Sequence, residues 1–128
     1  MPSEFRNNIS MASNKNITKK EFIKSISTEV EELVKFHEAG LITTKTLYIF
    51  ARQFRLTELE SLAIPIYEKL ANLGFGVPQY ILGMSYAQGV FKPQNYLKSY
   101  AWLNLAYSNG IEIALQNREK ISSQITQS

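Results

Sequence analysis

GMSYAQGVFKPQNYLKSYAWLNLAYSNG, residues 83–110, decides the fold. It reads as two helices, Tyr80–Gln88 and Tyr96–Asn109, with Gly83 in the first, Gly89 between them and Gly110 after them. Glycine at a helix end takes a positive φ without a Cβ penalty, so Gly89 and Gly110 mark terminations. Gly83 falls inside the first helix instead, where a missing side chain lets a neighbouring helix come close.

The same punctuation recurs outward from this stretch. Gly74 and Gly110 lie 36 residues apart, and each ends a helix and opens the next hairpin. The phase around them agrees. Ile66 and Trp102 precede their glycines by eight residues, and Leu70–Ala71 matches Ala106–Tyr107. Gly40 stands 34 residues before Gly74, with Phe36 four before it, as a degenerate third copy. A single helical hairpin cannot bury its apolar faces alone, whereas stacked hairpins bury each other. Gly83, Ala71, Ala101, Ala106 and Ala114 are expected to let helix axes approach, with Trp102 filling the space beside them.

Helical spacing extends to both sides. Toward the N-terminus, TKKE makes Thr18 an N-cap with Glu21 three residues on. Phe22, Ile26, Val30, Leu33 and Phe36 follow at helical intervals up to Gly40. A second helix is expected over Thr44–Phe54, facing inward with Leu47, Phe50, Ala51 and Phe54. RLTELE restarts the chain with Thr57 as cap, and a third helix runs to about Leu73. Leu59, Leu62, Ala63, Ile66 and Leu70 face inward on it, and Pro65 lies inside it or near its first turns. Pro78 suits the first turn of the fourth helix. Asn95 caps the fifth. The sixth, Glu112–Gln124, sets Ala114, Leu115, Ile121 and Ile125 against Gln116, Asn117, Glu119 and Lys120. No segment alternates as a strand would.

These readings give an all-α chain: a short right-handed α-solenoid of about three antiparallel helical hairpins, about six helices in all. Residues 1–17, poor in apolar side chains and rich in Asn and Ser, are expected to be a flexible polar tail. Residues 18–128 form the helical-repeat domain: 18–56 a degenerate hairpin, 57–89 and 95–125 the two clearer ones.

The stretch LANLGFGVPQYILGMSYAQGVFKPQNYLKSYAWLNLAYSNG strongly resembles the Sel-one-like repeat (SLR) family, a relative of the tetratricopeptide repeats. Leu70–Ala71, Gly74, Gln79–Tyr80, Leu82–Gly83, Tyr86, Gly89, Ala101–Trp102, Ala106 and Gly110 carry the resemblance. It covers about residues 60–122; residues 18–58 match poorly and rest on periodicity alone. The family's loop has Gly and Val where this chain has Phe91 and Lys92, and Asp where it has Asn95. Phe91 cannot take up glycine geometry cheaply, so this loop is expected to differ in shape. Pro78 stands where alanine is usual. Glu119 replaces an expected glycine, which points to a polar-faced capping helix.

Composition bounds the function. The 128 residues suffice for one domain, and 45% are apolar and 20% charged, as in ordinary globular chains. With no cysteine there is no disulfide framework, thiolate zinc site or cysteine nucleophile. The first twenty residues show no apolar export segment, and the charge-free run Leu70–Phe91 is broken by Gly and Pro. A soluble, cytoplasmic protein is expected, without membrane contact. The net charge of +3 divides into +3 for residues 1–20, −2 for 21–62 and +2 for 63–128. That is no dense basic stripe on a folded element, so nucleic acid is not the expected partner.

Candidate chemistry is sparse. His37 is the only histidine and sits in a helix beside Glu38, where a solvated or partly packed role is ordinary. Glu31, Glu32 and Glu38 make a solvated face. GFGVPQYILG lacks the strand that a dinucleotide loop follows. No catalytic residue, cofactor or metal is therefore assigned. The tyrosines are the stronger candidates. Tyr96, Tyr100 and Tyr107 share one face of the fifth helix, with Leu103 and Asn104 between, and Tyr67 lies on the third. Such tyrosines either pack between hairpins or present area and a hydroxyl to a partner. Phe91, with Lys92, is either tucked under its loop or presented. Tyr67, Phe91, Lys92, Tyr96, Tyr100, Asn104 and Tyr107 are the candidate partner-binding residues.

The resemblance implies adaptor, scaffold or regulatory work. A non-enzymatic protein–protein interaction module binding one dedicated protein or peptide is expected, with a toxin-neutralising bacterial immunity protein as a special case. The alternative is a hydrolase on the same scaffold. Family members described as hydrolase, penicillin-binding or β-lactamase-like are disulfide-rich secreted proteins, unlike this cysteine-free chain. A self-assembling structural unit is a third class.

Overall fold

The computed structural model describes residues 18–127, so the expected N-terminal tail lies outside the described residues. Among them there are six α-helices and no strand: α1 Lys19–Glu38, α2 Thr44–Leu56, α3 Glu60–Asn72, α4 Gly76–Gln88, α5 Tyr96–Ser108 and α6 Ile113–Gln127. The all-α, six-helix expectation holds. No described helix is long and apolar enough to cross a membrane.

Side-chain caps fix three of the helix starts. The Thr18 hydroxyl accepts from the Glu21 N–H at 3.1 Å, Thr43 from Thr46 at 3.1 Å, and the Asn95 side chain from Lys98 at 3.0 Å. Each such cap stabilises its helix by about 1 kcal/mol. Thr57 does not cap α3, contrary to expectation. Its hydroxyl donates backward to the Gln53 carbonyl at 2.8 Å, because Thr57 belongs to the end of α2. Helix α3 opens at Glu60, directly after Leu59, which has no side-chain acceptor to offer.

One device closes all five connections among these helices. An N–H reaches back five residues to a carbonyl: Leu41 to Phe36, Leu59 to Phe54, Phe75 to Leu70, Val90 to Ser85 and Ile111 to Ala106, at 2.8–3.2 Å. The residue just before each donor has a positive φ: Gly40, Glu58, Gly74, Gly89 and Gly110. This left-handed closure satisfies carbonyls that a helix end would otherwise leave unpaired. Gly74 and Gly110 adopt it at the predicted spacing.

Glu58 is the exception, a side chain held at φ +62° and exposed. A left-handed residue with a Cβ costs roughly 1–2 kcal/mol, while glycine loses about 0.5–1 kcal/mol in backbone entropy. Glu58→Gly is therefore expected to raise stability by about 0.5–1 kcal/mol, or roughly 2–5 °C in Tm by thermal unfolding. An unchanged or lower Tm would mean that the Glu58 side chain contributes more than its strain costs.

The chain divides into two compact units, Met1–Ile66 and Tyr67–Ser128, and the boundary falls inside α3 just past Pro65. Pro65 has no N–H for the i−4 carbonyl, so the helical ladder is interrupted there. In the first unit α1 packs on α2. Phe22, Ile26, Val30 and Leu33 are buried on α1, and Leu47, Ala51 and Phe54 on α2; Phe36 and Phe50 are half-buried. His37 Nε2 and the Thr44 hydroxyl share a 2.8 Å hydrogen bond, which gives the single histidine a structural contact between the ends of α1 and α2.

In the second unit α4 packs on α5, and α5 on α6. Leu103, Ala106, Ala114 and Ile121 form a buried cluster, flanked by Tyr80, Met84, Tyr96 and Tyr100. Gly83 makes the expected close approach: a Cβ there would lie 2.8 Å from Cγ and Cδ2 of Leu103 and 3.2 Å from its backbone N. Ala101 does not take part. It is exposed, and Trp102 is only half-buried, so the expected packing at that pair is absent. The reason is rotational: Ser99, Leu103 and Ala106 form the buried face of α5, and Ala101 points away from it.

Gln79 joins two helix ends within this unit. Its side chain is 2% exposed, donates to the Ala71 carbonyl at 3.1 Å and accepts from Asn109 Nδ2 at 2.8 Å. On α6, Ala114 and Ile121 are buried, while Gln116, Glu119 and Lys120 are exposed, as expected of a polar-faced last helix.

Candidate functional site

The connection between α4 and α5 is held at several points. Gly89 ends α4 with its N–H on the Ser85 carbonyl. The Asn95 N–H donates to the Tyr86 carbonyl at 2.9 Å, and the Asn95 side chain then caps α5. Gln94 Nε2 donates to the Ala87 carbonyl at 3.0 Å and to the Tyr96 hydroxyl at 3.2 Å. Lys92 is ion-paired with Glu68. The hydrogen bond to Glu68 raises the Lys92 pKa above the usual lysine range, against the opposing effect of burial. Lys98 places its ammonium 5.4 Å from the centre of the Tyr86 ring.

Within this pinned loop Phe91 adopts φ +67°, and the residue is 50% exposed. The phenylalanine thus takes up the left-handed geometry expected to be costly for it. The contacts on either side fix the loop's path, so the backbone at 91 follows at a cost of order 1–2 kcal/mol. Strain of this kind persists only where its surroundings enforce it. Phe91 is the largest of the loop's exposed residues, beside Val90, Pro93 and Gln94.

The tyrosine face of α5 divides in two. Tyr96 and Tyr100 pack partly against the buried cluster, whereas Tyr107 is 40% exposed and Asn104 is exposed. Arg118, from α6, joins the outer part. Its Cζ lies 5.7 Å from the centres of both the Tyr100 and the Tyr107 rings. Its Nη1 donates to Asn104 Oδ1 at 2.7 Å. Its Nε and Nη2 both donate to Glu119 Oε1, at 3.2 and 2.8 Å.

The seven candidate residues therefore fall into three places. Phe91 and Lys92 lie on the pinned loop, with Tyr96 at its exit. Tyr100, Asn104 and Tyr107 gather around Arg118. Tyr67 is 3% exposed, so its place on the candidate surface is corrected: it is a core residue of α3. Sequence reading missed Arg118. No short motif contains it, since it joins the α5 tyrosines only through the α5–α6 packing. Among the described residues no group of three or more His, Asp or Glu side chains comes together as a metal site would require.

Compared with known proteins, the chain matches no family model, no curated protein and no solved structure.

Proposed function

We propose that this chain is a non-enzymatic protein–protein interaction module of the Sel-one-like repeat type, a short right-handed solenoid of about three antiparallel hairpins. Its partner is one dedicated protein or peptide, met in the cytoplasm. Neutralisation of a bacterial toxin by an immunity protein is a special case of this reading. Support for the antiparallel arrangement comes from contacts that run in opposite order along α4 and α5: Tyr86 with Asn95, Gly83 with Leu103, Gln79 with Asn109. Support for the repeat comes from the 36-residue spacing of the closures at Gly74 and Gly110, together with the matching phase of the residues before them.

The observation that carries the binding role is Phe91. A large apolar ring half in water, on a strained backbone in a pinned loop, is poor economy for a chain with no partner. It is ordinary for one whose partner buries the ring, because buried aromatic anchors dominate interface energetics.

Phe91→Gly separates binding from folding. Relief of roughly 1–2 kcal/mol of left-handed strain is set against about 1 kcal/mol of lost ring burial and about 0.5–1 kcal/mol of glycine entropy. Its Tm is thus expected to stay within about 4 °C of the native chain. Affinity capture from the native host's lysate should recover a stoichiometric protein partner with the native chain, and at least about tenfold less with Phe91→Gly. Equal recovery by both chains, or no partner for the native one, overturns the proposal.

A further inference from the structure

We propose that the Arg118 cluster recognises a carboxylate of the partner, an Asp or Glu side chain, with Glu119 holding its place in the free protein. This rests on the protein-interaction reading above and names the chemistry at one point of that surface.

The guanidinium is preorganised. Two tyrosine rings flank it at 5.7 Å, and Asn104 Oδ1 fixes Nη1 at 2.7 Å. Its side chain is 19% exposed, covered in part by its neighbours, at the surface of the protein. Of five N–H donors, three are used: one on Asn104 and two on a single oxygen of Glu119. The Tyr100 and Tyr107 hydroxyls have no hydrogen-bond partner among the described residues. The site thus offers donors and positive charge, with Asn104 as its internal acceptor.

Glu119 is a weak occupant. It is the next residue on the same helix, and adjacent residues do not share a helix face. Its side chain is 60% exposed, so the pair is screened by solvent. A carboxylate arriving from outside can take both oxygens to the fork, the geometry in which arginine binds carboxylate best. Residues 63–128 carry a net charge of +2, which attracts an acidic surface. One fork with tyrosines beside it suits a side-chain carboxylate better than a phosphodiester backbone, which calls for repeated cations.

The test titrates the full chain with two capped peptides, acetyl-Leu-Glu-Glu-Leu-amide and its Gln-Gln counterpart, and with inorganic phosphate. NMR of the Arg118 Nε–H and the tyrosine rings reports binding. The glutamate peptide should shift these signals and the glutamine peptide should not. Glu119→Gln frees the fork and should tighten binding about fivefold. Arg118→Lys keeps the charge but loses the fork, and should weaken binding about tenfold. Both variants sit at the surface, and unchanged circular dichroism confirms their folds. Equal response to the two peptides, preference for phosphate, or no gain from Glu119→Gln overturns the proposal. If the native chain captures a partner that Arg118→Lys holds equally well, this site fails while the interaction reading stands. If no partner is captured yet the glutamate peptide still shifts Arg118, the site stands and the interaction reading fails.

Discussion

Gly83→Val is expected to destabilise the protein by about 3 kcal/mol, lowering Tm by roughly 10 °C. A Cβ at position 83 would already meet Cγ and Cδ2 of Leu103 at 2.8 Å. Leu103 is fully buried, so its side chain cannot swing out into solvent. The 3.2 Å approach to its backbone N adds a contact that no rotamer change relieves. Helix α4 must therefore move off α5. Leu103 shares its cluster with Ala106, Ala114 and Ile121, so the loss spreads to the α5–α6 contact. Gly83→Ala should be milder, near 1 kcal/mol, because better helix propensity offsets about 1 kcal/mol of the clash. Pairing Gly83→Ala with Leu103→Ala should cost less than the sum of the two single changes, by about 1–2 kcal/mol in a double-mutant cycle. Additive costs would place the strain elsewhere.

Gln79→Leu is expected to cost about 1–2 kcal/mol in denaturant unfolding, despite similar side-chain volume. It removes one of the two donors on the Ala71 carbonyl, which keeps the Gly74 N–H at 3.0 Å, and the acceptor of Asn109 Nδ2. Each lost hydrogen bond is worth about 0.5–1.5 kcal/mol net, and the exposed Asn109 turns to water more readily than the carbonyl does. Gln79→Glu should be worse at neutral pH, because it buries a charge and cannot donate to Ala71. Protonation restores the donor. The folded-state pKa of that glutamate is raised above its unfolded value, so stability should recover as pH falls through the folded pKa. A Gln79→Leu protein as stable as the native chain would show that the bridge contributes nothing net.

The elements were legible wherever one residue type has one physical use. Glycines at 40, 74, 89 and 110 take the left-handed closures that their spacing implies. Thr18 and Asn95 cap the helices that they precede. Reading failed where a residue has two uses. Thr57 fits the pattern for opening a helix, yet a hydroxyl also bonds backward to the preceding turn, and that choice is made by the left-handed Glu58 beside it. No composition rule marks Glu58 or Phe91 for a conformation that their side chains disfavour; only the surrounding contacts do. Ala101 shows the limit of small size as a signal, since alanine lines a close contact or faces water with equal ease. At the candidate site, the tyrosines and Phe91 stood out by type. Tyr67 was misplaced because periodicity does not say how much another element covers. Arg118 was invisible because its neighbours come from a different helix.

The bracket formed by Gly89 and Asn95 has a consequence for how such proteins diversify. Each end of the linker secures its own helix by local bonds, so within the five positions 90–94 Val90, Phe91 and Pro93 can be rewritten without touching the registry of α4 or α5, while Lys92 and Gln94 keep their bonds to Glu68, Ala87 and Tyr96. Even doubling that length adds only about 0.6 kcal/mol of closure entropy. The segment is a replaceable cassette on a fixed handle: a few of its letters can be exchanged while the frame is inherited intact.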